Sequence, residues 1–177
     1  FPRSAWRDGL SHYGRASLLL HWSTVLLITV SFGLAWTWYL PGRGQLQNAM
    51  VDAHRIIGTA ILMLSLIRIL RRLFGRPQTL RDDPIWIRVV AYITQSVLLA
   101  LLVLIPLFGW AYTNAGGFEV HLFVVDLPHL VPPDDYLEEL TVGIHEVLAN
   151  LLLILVGLHS LGALWHWWRN RRLLRLE

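Results

Sequence analysis

Three runs of the chain, residues 17–42, 89–118 and 147–168, contain no formal charge. A helix crossing the ~30 Å hydrocarbon layer of a bilayer needs about 20 apolar residues, and each run supplies that length. A fourth stretch, about 50–70, is weaker by hydropathy because only 56–67 is free of charge. The chain is 55% hydrophobic with nine Trp, and its mean hydropathy of +0.50 suits a membrane protein better than a soluble domain. Trp22, Trp36, Trp38, Trp86, Trp110 and the Trp165–Trp168 group fall near the ends of the runs, as an aromatic belt should.

The expected fold is therefore all-α: an integral membrane four-helix bundle in a single domain, 1–177. Its spans are about 17–39, 50–71, 89–113 and 141–168, with an outer cap loop over 114–140. Pro106 is expected to kink the third span and Gly116-Gly117 to stop it. All fifteen basic residues are Arg. Thirteen lie in the N-terminal segment, in the loop joining the second and third spans with its flanks, and in the C-terminal tail, whereas only Arg43 and Arg55 lie on the opposite side. By the positive-inside rule both termini of this multi-pass protein are cytoplasmic. Residues 1–15 are polar and mixed and do not read as a signal peptide. With no Cys in the chain, disulfides, iron–sulfur clusters and thiolate–zinc sites are excluded together. Nucleic acid is not an expected partner; the lipid bilayer is.

Histidines stand inside these apolar runs, where an imidazole is costly unless something binds it. His145 and His159 are fourteen residues apart, which puts them within about 40° on one helix face and about 21 Å apart along the axis. His54 opens the second span at the outer level of His145. Two histidines facing across a bundle are the usual bis-imidazole clamp for a haem iron. A second site using His159 lies roughly 9 Å from the inner surface, and His21 lies about 9 Å inside Arg15, at that same depth. A site using His166 instead falls about 31 Å from the outer one, in the headgroups. The expected iron ligands are thus His54 with His145 outside and His21 with His159 inside. The competing readings are polar contacts between helices, or coincidence. Two separated pairs do not make one tetrahedral zinc site. His12, His121 and His129 read as solvated.

Other residues carry more than one reading. Arg55, beside His54, suits a haem propionate. Arg68, fourteen residues after His54, suits a propionate or a quinone carbonyl, or snorkels to the cytoplasm with Arg71 and Arg72. His166 is either an interfacial histidine in a Trp belt or part of a substrate site. Gly58, Gly157 and Gly162, near the histidines, admit a flat macrocycle but are also common helix-packing residues.

The segments "LLLHW", "VDAHRIIGTAILMLSLIRILRRL" and "HEVLANLLLILVGLHSLGALWH" resemble the bacterial cytochrome b561 family over nearly the whole chain. The resemblance implies two haem b groups without thioether links, consistent with the absence of C-x-x-C-H. It implies oxidoreductase activity between a periplasmic donor, superoxide for some members, and membrane ubiquinone. The family's four ligand positions fall on His21, His54, His145 and His159, and the position expected near quinone falls on His166. Eight acidic residues on the outer side repel an anion unless a local basic funnel prevails, and suit a basic electron carrier at least as well. Two other functions fit the same features: a haem-bearing anchor subunit of a dehydrogenase or hydrogenase, and a non-redox haem carrier.

Overall fold

A computed structural model describes residues 14–37, 44–74, 84–122 and 125–173, with the backbone alone for residues 122, 166 and 169–173. Four helices occupy most of these residues: α1 (Arg15–Trp36), α2 (Gln45–Phe74), α3 (Ile85–Ala115) and α4 (Asp135–Leu173). Between α3 and α4, β1 (His121–Leu122) pairs antiparallel with β2 (Val125–Asp126). The expected end of the first span near Tyr39 lies outside the described residues.

Helix α1, helix α3 and the Asp135–Trp165 part of α4 are long and apolar enough to cross a membrane. Helix α2 does not join them. Asp52 and Arg55 near one end and Arg68, Arg71 and Arg72 near the other lower its apolarity, although at 30 residues it has ample length. It packs between α1 and α3, and α4 packs on α3. The molecule is an all-α membrane bundle.

Lipid tails are as apolar as leucine, so tight packing and satisfied polar groups hold such helices together. Ile61, Leu101, Leu102 and Leu152 form the buried centre, flanked by Leu27, Ile28 and Phe32 of α1 and Leu148 and Leu155 of α4. Hydroxyls on the packed faces bond back one turn: Thr24 to the Leu20 carbonyl (2.8 Å), Thr59 to Arg55 (2.9 Å), Ser65 to Ile61 (2.7 Å) and Thr113 to Gly109 (2.9 Å). Each hydroxyl is thereby satisfied without water, and its small volume lets the helices approach. Among the described residues no Cα of α1 or α2 comes within 8 Å of one in α4. Side chains alone bridge that separation.

Helix α3 continues through Pro106 and ends at Ala115. Gly117, at φ 80°, makes the left-handed turn that a residue with a Cβ resists. There the Phe118 N–H reaches the Thr113 carbonyl (3.0 Å) and the Gly117 N–H the Asn114 carbonyl (3.0 Å), closing a Schellman motif. Asn114, fully buried, ties the cap down: its amide donates to the Phe118 carbonyl (3.1 Å) and its oxygen accepts from the Leu130 N–H (2.9 Å). Helix α4 then begins at Asp135, earlier than the expected span. Asp134 Oδ1 caps it by accepting from the Leu137 N–H (2.8 Å), and Asp135 and Glu138 in the first turn complement the helix dipole.

Candidate functional site

At the cap end, all four helices contribute to one cluster. The rings of His54 from α2 and His145 from α4 lie 6.2 Å apart between centroids, with an interplanar angle of 75°. His54 Nδ1–H donates to the Ser31 carbonyl of α1 at 3.0 Å, with Ser31 Oγ a second acceptor at 3.1 Å. His145 Nδ1–H donates to the Ile105 carbonyl of α3 at 2.9 Å. A main-chain carbonyl can only accept, so each ring carries its proton on Nδ1 and leaves the Nε2 lone pair for a metal. Two imidazoles each bound about 2 Å from one metal have their centroids roughly 6 Å apart. Donor chemistry and separation both fit an iron held between them.

Gly109 makes the His145 contact possible. A Cβ there would lie 3.0 Å from His145 Cε1 and 3.1 Å from Nδ1, so any side chain makes the ring give by a few tenths of an ångström at the atom that donates to the Ile105 carbonyl one turn below. Gly58, Gly157 and Gly162 are different: among the described residues, a Cβ at any of them meets no side chain or neighbouring helix within 4 Å. Packing among the described helices does not require glycine at those three positions.

At the opposite end, His21 of α1 has Arg68 of α2 and His159 of α4 within electrostatic reach. Its ring meets Trp22 edge-on at 5.4 Å. Arg68 donates from Nη2 to the Leu20 carbonyl, the peptide immediately before His21. His145 and His159 are fourteen residues apart on α4, so the two levels are about 21 Å apart along it. The apolar centre built on Ile61 and Leu152 lies between them.

Arg55 pairs with Asp52 (3.2 Å) and lies 5.6 Å from the Phe118 ring centroid, holding α2 to the cap. The side chain of His166 lies outside the described residues, as does His12. His129 is exposed. His121 is also exposed and hydrogen-bonds Asp126 at 2.7 Å. Sequence reasoning missed Ser31, Gly109 and the Ile105 carbonyl. A glycine in the middle of an uncharged run was the one usable signal, since a carbonyl acceptor has no residue signature.

Comparison with known proteins identifies the family. The chain is 27% identical over 168 residues to the probable superoxide oxidase CybB of Yersinia pestis, covering 93% of this chain and 94% of that protein. The family model for prokaryotic cytochrome b561 matches residues 12–176, and the chain belongs to that family.

Proposed function

We propose that this chain is a transmembrane electron-transfer protein holding two haem b groups, working between a donor on the periplasmic, cap side and ubiquinone on the cytoplasmic side. Family membership carries the coarser statement, a membrane protein that binds haem b and transfers electrons. The observation that carries the finer one is the His54–His145 pair, with both Nδ1 atoms engaged and centroids 6.2 Å apart. His54 and His145 hold the outer iron, and His21 and His159 the inner one. Bound there, haem b supplies reversible one-electron chemistry.

The chain's own residues do the rest. The Ser31 and Ile105 carbonyls fix the ring orientation and tautomer of the outer ligands. Leu152 and its neighbours exclude water between the two levels. Arg68 and His166 stand on the cytoplasmic side, where a guanidinium and an imidazole donate hydrogen bonds to quinone carbonyls. The name of the relative supports superoxide as the donor. One observation favours a cationic electron carrier instead: Arg55 is paired with Asp52, while Glu119, Asp126, Asp134, Asp135 and Glu139 are exposed on the cap.

Purified protein is expected to carry two haem b per chain with a low-spin, bis-imidazole spectrum, and to reduce a ubiquinone analogue when given superoxide. Protein without haem would refute the reading. A reduced basic carrier that outpaces superoxide at equal concentration would select the second donor.

A further inference from the structure

We infer, on the two-haem reading above, that backbone carbonyls make the outer haem the lower-potential of the two, so that electron transfer from the cap side to the cytoplasmic side is downhill. Both outer ligands donate Nδ1–H to a main-chain oxygen, His54 to Ser31 and His145 to Ile105. A carbonyl that accepts this hydrogen bond makes the imidazole more electron-rich and a stronger iron ligand. A stronger ligand favours ferric over ferrous iron and lowers the potential. Both axial positions contribute in the same direction. Among the described residues neither His21 nor His159 has a hydrogen-bond partner, and the ring contact of His21 is with Trp22.

Local charge also differs between the two sites. The Arg68 guanidinium is within electrostatic reach of His21, and a nearby cation favours the less positive ferrous state at the inner site. At the outer site Arg55 also lies within electrostatic reach of His54 but is paired with Asp52 at 3.2 Å, and the exposed carboxylate of Glu146 lies within electrostatic reach of His145. A nearby anion favours ferric iron. Hydrogen bonding separates the two sites in one direction, and the Asp52 and Glu146 carboxylates limit the effect of Arg55 at the outer one.

Gly109 is the positioning residue on which the argument turns. It touches no substrate or iron, yet its missing Cβ admits the His145 ring to the Ile105 carbonyl.

The test is spectroelectrochemistry of the purified holoprotein, which reads two one-electron midpoints. The same measurement on His21→Ala, which retains the outer haem, assigns them. The outer haem is expected to give the lower midpoint. Gly109→Ala is expected to raise it by about a tenfold change in the ferric-to-ferrous ratio, or about 59 mV for one electron, with the inner midpoint in place. Ser31→Ala, which removes one of two acceptors on His54, raises the same midpoint by less and decides the matter if Gly109→Ala sheds its haem. A lower midpoint at the inner haem overturns the inference, as does an outer midpoint unmoved in the variants that keep both haems. Wild-type protein with fewer than two haems instead fails the underlying reading, which distinguishes the two failures.

Discussion

His54 and His145 come from helices that bring no Cα pair within 8 Å among the described residues, yet their imidazole centroids are 6.2 Å apart. Each ring is anchored to a third or fourth helix, to Ser31 of α1 and Ile105 of α3. Two side chains held this way form a clamp whose ring orientations are fixed by main-chain hydrogen bonds. Preorganised ligands lose less conformational freedom on binding, which favours tight retention of what they hold.

Histidine removal tests the pairing. His54→Ala and His145→Ala are each expected to lower the haem-to-protein ratio from two to one, with loss of the outer haem. His21→Ala and His159→Ala are expected to do the same with loss of the inner haem. A pyridine haemochrome assay with protein quantitation reads the ratio. If His166→Ala costs a haem and His159→Ala does not, the inner pairing is wrong.

The 75° angle between the two rings has a spectroscopic consequence. Near-perpendicular axial imidazoles leave two iron d orbitals close in energy and give a strongly anisotropic low-spin signal. Electron paramagnetic resonance of the oxidised His21→Ala protein, which keeps the outer haem, is expected to show that signal. A rhombic signal typical of parallel ligand planes counts against this ring arrangement.

Charge on the cap decides how the donor rate responds to salt. With Arg55 engaged by Asp52 and carboxylates exposed around it, the net field repels an anion. Salt screens that field, with a Debye length of about 8–10 Å near physiological ionic strength. The rate with superoxide is therefore expected to rise with ionic strength, and the rate with a basic carrier to fall. Stopped-flow measurement from low to high salt gives the slope; a superoxide rate that falls reveals a basic funnel.

The proposed quinone site rests on Arg68 and His166. Arg68→Gln and His166→Ala are each expected to slow quinone reduction about tenfold, the worth of one charge-assisted hydrogen bond of about 1.5 kcal/mol. Reduction of both haems by a small outer donor should be unchanged. Arg68 also holds the Leu20 carbonyl, so a changed haem content in Arg68→Gln separates its hold on α1 from a role at quinone. Wild-type quinone turnover in both variants removes the assignment.

Asn114 tests the cap independently of the haems. Asn114→Ala deprives the Leu130 N–H and the Phe118 carbonyl of their partners, a cost of about 1–3 kcal/mol for a buried unsatisfied group. A lower Tm with two haems retained is the expected result. An unchanged Tm means that water replaces both contacts.

The sequence by itself determined the all-α membrane class, because uncharged runs of spanning length leave the backbone no partner in lipid except itself. It also determined that His145 and His159 share a helix face, since the 3.6-residue repeat is local geometry. The end of α3 at Gly116-Gly117 was legible for the same reason: a left-handed turn has a residue signature. The early start of α4 had its signal too, in Asp134 followed by an acidic first turn, but the polar residues around it read as loop.

Only the tertiary structure decided what surrounds each histidine. Ser31 and Ile105 act through main-chain oxygens, and Gly109 through the absence of a Cβ; none of these is encoded by a polar side chain at a telling interval. Which carbonyl a ring reaches depends on how helices far apart in sequence rotate and pack. Packing also turned Arg55 toward Phe118, and Arg68 toward the Leu20 carbonyl. A one-dimensional pattern shows which groups share a helix face, and three-dimensional packing selects the partners they meet.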